Sequence, residues 1–225
     1  MTPQHIAIIM DGNRRFAKKR GLLVKEGHSL GGEQLEKITD TAANLGVKTL
    51  TVYAFSTENW QRSAMEVKVL MRLIENFLKD KRKSMVEKGV RFATIGNLTG
   101  LSKKLQLEID ETKNATKEGK RINLVVGLNY GARDEIVRAA KKMALEVDPK
   151  DFSEKIFSQH LDTYLWGDPD LLIRPGGEMR LSNFLLWQLS YAEIFVTDKL
   201  WPEFGPDDLN EAVEAYGRRH RRKGE

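Results

Sequence analysis

Residues 11–16 read Asp-Gly-Asn-Arg-Arg-Phe. One carboxylate, Asp11, stands beside two guanidinium groups, Arg14 and Arg15. Arginine forks match the geometry of phosphate oxygens. Gly12 lets backbone come close to a ligand. Asn13 tolerates a left-handed turn and carries an amide donor. Magnesium is typically held by one or two carboxylates together with phosphates and water. The run, closed by Phe16, therefore suits a magnesium-associated phosphate ester. It also reads as a tight turn in which Asp11 caps a helix and the arginines stay in solvent.

A second set lies far along the chain. Arg174, Arg180, Leu181 and Ser182 flank Gly176-Gly177. Ser182 is placed to cap a helix over 182–189, whose N-terminus attracts an anion. Two anion sites imply two phosphate-bearing substrates or one large one. The plainer alternative is a capped helix with surface arginines. A third polar run is Ser56-Thr57-Glu58-Asn59-Trp60-Gln61-Arg62. His28, after Gly27, either meets a diphosphate or is structural. The four histidines have no metal-ligand spacing. Glycine-rich nucleotide loops and a serine elbow are absent. With no cysteine, disulfides, thiolate metal sites and a cysteine nucleophile are excluded.

These segments need a scaffold that brings them together. Buried strands are expected at 5–10, 47–55, 90–95, 122–128, 170–174 and 192–197, and helices at 29–45, 63–88, 102–117, 132–147, 152–161 and 206–219. The long helix carries Val67, Leu70, Met71, Ile74, Phe77, Leu78 and Met85 at helical spacing. That stripe is either core or the wall of an apolar cleft. Alternation of strands and helices predicts a single α/β domain over 1–225. Its central sheet is mainly parallel, of about six strands, with helices on both faces. In such sheets ligands bind beyond the carboxyl ends of the strands. The polar runs after strands one, two, four and five all fall there.

Composition is that of an ordinary globular protein: 40% hydrophobic and 31% charged residues. The net charge of +5 sits mostly in the tail. GRRHRRKGE at the end carries five basic side chains and one acidic one. A nucleic-acid face usually spreads its positive charge, so no nucleic-acid partner is expected. No run approaches the roughly 18 uncharged residues of a membrane span. The N-terminus lacks the features of a signal or transit peptide, which points to the cytoplasm. A plastid location requires a presequence removed beforehand.

HIAIIMDGNRRFAKKRG, Gly27-His28, YAFSTENWQR, NYG, LLIRPGGEMRLSNFLLWQLSYAE and LWPEF occur in an order that resembles the cis-prenyltransferases. The match runs from His5 to Gly224. There is no D-D-x-x-D motif of the all-helical prenyltransferases. The resemblance implies condensation of isopentenyl diphosphate with an allylic diphosphate, usually farnesyl diphosphate, in a magnesium-dependent homodimer. It places Asp11 at the magnesium and makes it catalytic. Gly12, Asn13, Arg14, Arg15, Phe16 and His28 then hold the allylic diphosphate. Ser56, Thr57, Glu58, Asn59, Trp60 and Arg62 form the second block, with Asn59 where the proton acceptor is assigned. An amide is a poor base, so Asn59 is expected to orient a proton taken by diphosphate or water. Arg174, Arg180, Leu181 and Ser182 match the isopentenyl diphosphate site, and Glu193 a second metal-linked carboxylate. Arg222 and Gly224 match a C-terminal motif that completes the neighbouring subunit's site.

The chain departs from many bacterial members at Arg14, Phe16, Val24 and Pro175. The helix at 63–88 is neither shortened nor extended, which implies a medium-to-long product near undecaprenyl diphosphate. The alternatives are a short-chain or irregular terpenoid diphosphate, or a non-catalytic partner subunit. A greasy product also makes peripheral membrane contact compatible with this reading.

Overall fold

The computed structural model describes residues 1–218. Arg222 and Gly224 lie outside the described residues, so their expected role does too. Six strands form one parallel sheet: β1 (His5–Ile9), β2 (Thr49–Ser56), β3 (Val90–Ile95), β4 (Ile122–Tyr130), β5 (Leu171–Pro175) and β6 (Glu193–Thr197). Their order across the sheet is β3-β4-β2-β1-β5-β6. The chain therefore builds to one side of β1 first and then crosses to the other. β1 and β5 flank the point where that direction reverses, the place where open α/β sheets form a ligand crevice.

Buried parallel strands should be apolar on both faces, and β1 is: all five of its residues are buried. Alternate residues serve different layers. Ile6 and Ile8 join Leu50, Val52, Leu124 and Val126 under the helices of one face. That layer includes Leu35 and Ile38 of α2 (Val24–Asn44), Leu70 and Leu78 of α3 (Ala64–Glu87), Leu105 of α4 (Lys103–Thr116) and Val213 of α7 (Pro206–Arg218). Ala7, Ile9, Val125 and Leu172 face the other way, against Phe184, Leu185 and Leu189. Beyond them α5 (Ala132–Glu146) and α6 (Glu154–Gln159) pack together through Ala139, Met143, Phe157 and Leu161.

Two differences from the expected elements matter for the site. First, Asn13–Arg20 forms a helix, α1, and α2 starts at Val24 rather than 29. The cause is tertiary. A side chain at Gly27 would meet the Asn13 carbonyl at 2.4 Å, and one at Gly31 the Asn13 side chain at 2.3 Å. Glycine inside α2 costs helix propensity but lets α1 lie against it. Second, 182–189 is not a helix but a chain of turns. Ser182, Asn183 and Leu185 have φ of 50°, 62° and 46°, which no right-handed helix contains. The expected helix cap at Ser182 is therefore corrected: any anion held there is held by side chains and loop, not by a helix terminus.

No described helix is long and apolar enough to cross a membrane.

Candidate active site

Asp11 leaves the end of β1, and Arg174 stands near the end of the neighbouring β5. Their side chains meet: Arg174 Nη2 donates to Asp11 Oδ2 at 3.0 Å. Arg15, in the first turn of α1, approaches the other carboxylate oxygen at 3.2 Å. Arg15 also donates to the Gly176 carbonyl at 2.7 Å. Gly176 has φ +96°, a conformation that favours glycine, and a Cβ there would displace the Arg15 guanidinium, 2.4 Å away. Arg174 is buried and reaches further to Ser182 Oγ at 3.0 Å and to the Arg180 carbonyl. One guanidinium thus ties Asp11 to the 180–182 loop.

The backbone of Asp11 is pinned as well. Its carbonyl accepts from the Trp201 amide at 2.9 Å, and the Trp201 indole donates to the Gly31 carbonyl at 2.9 Å. Trp201 is fully buried and stacks on Phe204. The LWPEF segment therefore positions the carboxylate without touching the cavity's polar mouth through its charges.

The mouth opens into a cavity of about 670 Å³. Its polar end is lined by Asp11, Asn13, His28, Glu58, Asn59 and Arg62 among others, and by Arg174 and Ser182. Its apolar end lies between the sheet and helices α2 and α3, where Leu35, Leu70, Ile74, Phe77, Phe92 and Leu128 face it. The apolar stripe of α3 is thus cleft wall as well as core.

Several mouth residues are held in place by neighbours. Asn59 Oδ1 accepts from the Ser56 amide at 3.2 Å, at a point where β2 carries register shifts against β4. Arg62 pairs with Glu66 at 2.9 Å, and Arg14 reaches the same carboxylate at 3.4 Å. Trp60 donates to Asn129 at 2.7 Å. Glu58 accepts from Asn183 at 2.8 Å. Burial raises the Glu58 carboxyl, but hydrogen bonds led by Asn183 outweigh it and hold the group below its ordinary range. Thr57 lies against Gly131, where a Cβ would meet its hydroxyl at 2.5 Å.

His28 is lowered to about 4, first by burial and then by Arg62 and Arg14, with Glu66 opposing. Its Nε2, Asn13 Oδ1 and Arg174 Nε are buried with no partner in the protein. Buried polar atoms are almost always satisfied. Three orphans around one mouth mark a place built to receive a polar group.

Nine of the residues selected from sequence line this one cavity: Asp11, Asn13, His28, Ser56, Glu58, Asn59, Arg62, Arg174 and Ser182. Gly12 supplies the left-handed turn into α1 at φ 110°. Arg180 points to Glu178 while its carbonyl serves Arg174. Phe16 lies under Arg20 instead of on the cavity wall. Leu181 packs on the sheet's second layer. Glu193 opens β6, level with Leu171 and hence with Ile6. It therefore stands at the amino edge of the sheet, and the structure does not bring it to Asp11 within one chain. Sequence reasoning did not select Glu66, Asn183 or the Gly27/Gly31 pair. Glu66, in the first turn of α3, follows Arg62, which lies just before that helix, by four residues; the two glycines, also four apart, share one face of α2.

Comparison with known proteins decides the family. The family model described as "Putative undecaprenyl diphosphate synthase" matches residues 9–224. The chain belongs to the cis-prenyltransferase family. It is a prenyl-transferring enzyme that condenses isopentenyl diphosphate with an allylic diphosphate. An isoprenyl transferase of Fusobacterium nucleatum is 46% identical over 99% of this chain and 96% of that protein. A chloroplastic (2Z,6Z)-farnesyl diphosphate synthase of Solanum lycopersicum is 44% identical over 100% of this chain and 80% of that protein. The crystal structure of lavandulyl diphosphate synthase from Lavandula x intermedia, in complex with dimethylallyl diphosphate, superposes with a TM-score of 0.97. It is 42% identical and covers 100% of this chain and 99% of that one.

Among the described residues no group of three or more His, Cys, Asp or Glu could hold a metal by itself. The mouth still fits magnesium of the kind that binds with its substrate. One carboxylate, Asp11, can supply the protein ligand and substrate phosphates the rest. The arginines beside it suit those phosphates.

Proposed function

We propose that this cis-prenyltransferase makes a short-chain diphosphate rather than one of the undecaprenyl class. The cavity carries this reading. Its 670 Å³ falls in the range of about 300–1,000 Å³ that encloses a drug-sized ligand. A diphosphate of about fifteen carbons has that size; one of about fifty-five outgrows it unless its tail leaves the cavity. The likeness to a lavandulyl and to a (2Z,6Z)-farnesyl diphosphate synthase supports the same choice. The unshortened α3, which suggested a longer product, fixes the wall's length but not how bulky its side chains are.

In this proposal Asn13, His28, Arg14 and Arg15 hold the allylic diphosphate, and Arg174, Arg180 and Ser182 the isopentenyl one. Asp11 would hold magnesium together with the phosphates, and the metal would supply charge neutralisation for the leaving diphosphate. The arginines around Asp11 favour the same developing charge. As the allylic C–O bond breaks, the isopentenyl double bond attacks and a C–C bond forms. A proton then leaves the isopentenyl fragment for the departed diphosphate, with Asn59 orienting the accepting oxygen. The apolar walls keep water from the cation.

A homodimer belongs to this proposal. β6 is one of the sheet's two edge strands, and Tyr191 just before it and Ile194 within it are exposed; native edges are normally covered or blunted. Within one chain we assign Glu193 no metal role.

The test incubates purified protein with labelled isopentenyl diphosphate, magnesium and dimethylallyl, geranyl or farnesyl diphosphate, beside an Asp11→Ala control. Magnesium-dependent products of ten to twenty carbons, absent from the control, are expected. A ladder reaching fifty-five carbons would overturn the short product. No incorporation from any primer would overturn the assignments of Asp11 and Asn59.

A further inference from the structure

We propose that the loop joining α1 to α2 is a docking surface for an anionic lipid bilayer. Three successive apolar residues stand in solvent there: Leu22, Leu23 and Val24, 37%, 61% and 40% exposed. Single exposed apolar residues are ordinary. Three in a row at the tip of a helical hairpin are not scattered singles. Basic residues predominate around them, and the one carboxylate at the tip, Glu26, accepts from the Leu23 amide at 2.7 Å. Lys18, Lys19 and Arg20 end α1, and Lys25 begins α2. Lys19 and Arg20 share Glu203, at 3.7 and 3.4 Å. Among the described residues Lys18 and Lys25 form no ion pair.

Local helix chemistry explains only part of this charge. Cations at the C-terminus of α1 suit the helix dipole. Lys25 in the first turn of α2 does not, since that end favours anions. The apolar exposure has no local cause either. Leu23 occupies the position before α2, where Ser, Thr, Asp or Asn would cap better. Apolar side chains at the centre and lysines at the rim match a bilayer boundary with acidic headgroups. Charge complementarity therefore selects an anionic bilayer over a neutral one. The hairpin is also well sited. Its tip is eight residues of α1 from Asn13, about 12 Å by helix rise. A membrane at the tip would lie beside the mouth that admits amphiphilic diphosphates.

The inference does not depend on product length, because binding is read without substrate. The full chain is sedimented with vesicles of phosphatidylcholine alone and of phosphatidylcholine with phosphatidylglycerol, at about 0.1 M salt. Two double variants accompany it: Leu22→Ser with Leu23→Ser, and Lys18→Glu with Lys25→Glu. The wild type should partition onto the anionic vesicles and at least tenfold less onto neutral ones. Each double variant should lose about tenfold or more, the scale of a buried leucine or of two screened charges. Salt near 1 M should release the wild type, since screening shortens to about 3 Å. Melting temperature and product formation in solution should not change. Wild type that fails to sediment, or that binds neutral vesicles as well, overturns the proposal. So do variants that sediment like wild type, an outcome that transfers the binding to the basic tail.

Discussion

Arg174 donates a hydrogen bond to Asp11 at 3.0 Å from the neighbouring strand and holds Ser182 at 3.0 Å with the same guanidinium. The two ends of the proposed double diphosphate site are therefore coupled through one buried side chain. Lysine keeps the charge but offers no fork. Arg174→Lys should lower kcat/KM for isopentenyl diphosphate by about 10²–10³, the usual range for one charge-stabilising donor. Losing one or two charge-assisted bonds should also cost roughly 1.5–3 kcal/mol of stability each. Steady-state kinetics with calorimetric melting checks both. A variant with wild-type kinetics and a lowered melting temperature would make Arg174 purely structural.

Two histidines, His5 buried and His28 half-buried, make the protein acid-sensitive. His5 and His28 are each lowered to about 4 from 6.5. Burial is the leading cause in both; Arg62 and Arg14 add to it at His28, and the Gly167 carbonyl and then Asp170 oppose it at His5. The unfolded chain takes up these protons below about pH 6.5, while the folded chain resists until about pH 4. Their contribution to stability is therefore present above pH 6.5 and lost as pH falls toward 4, by a few kcal/mol in all. Urea unfolding at pH 7 and pH 5 should show the decline. His28→Gln should show a smaller one. An equal decline in wild type and variant would mean that His28 does not stay neutral in the fold.

What the sequence revealed, and what it hid, follows from where the information lies. The strands were legible because buried parallel strands are plain apolar runs, as in HIAII of β1. Asp11, Arg174 and Ser182 were legible as a site because strand ends must converge in such a sheet. α1 was hidden, because NRRFAKKR offers only Phe16 and Ala17 as apolar residues. Its partner is the glycine face of α2, a tertiary contact without periodicity. The 182–189 segment is apolar enough to suggest a helix, yet Phe184 and Leu185 are drawn fully into the sheet's second layer. Its left-handed residues fix the turns instead. Glu193 shares a motif with site residues but opens its strand at the other edge, and only register shows that.

Asn183 should prove as necessary as the arginines. Its side chain donates to Glu58 and accepts from the Arg133 amide at 2.9 Å, while its carbonyl accepts from the Ala132 amide at 2.8 Å. It thus joins the loops after β2 and β5 to the start of α5. Its φ of 62° is one that asparagine tolerates better than most residues. Asn183→Ala should cost roughly 1–3 kcal/mol in stability and raise KM for isopentenyl diphosphate more than it lowers kcat. Asn183→Gly keeps the backbone geometry and should recover part of the stability but not the KM. Full recovery of both would show that only the backbone of Asn183 matters.

Phe77 should set where chain growth stops. It lines the main cavity and also a small cavity of about 20 Å³ bounded by Glu36, Lys81, Ser84 and Lys88. Its ring therefore separates the apolar end of the cleft from the gap between α2 and α3. Gly32 of α2 faces the same ring, 3.5 Å from where a Cβ would stand. Truncating the ring joins the two spaces and gives a growing tail somewhere to go. Phe77→Ala should shift the product ladder upward by at least one five-carbon unit. The lost packing should cost up to about 3 kcal/mol, the low end for a fully buried phenylalanine, since this one is half-buried. Phe77→Leu should give intermediate lengths. The measurement is reversed-phase separation of products labelled from isopentenyl diphosphate, with dimethylallyl diphosphate as primer. An unchanged ladder in a folded, active Phe77→Ala variant would mean that the tail never reaches α3 at this depth.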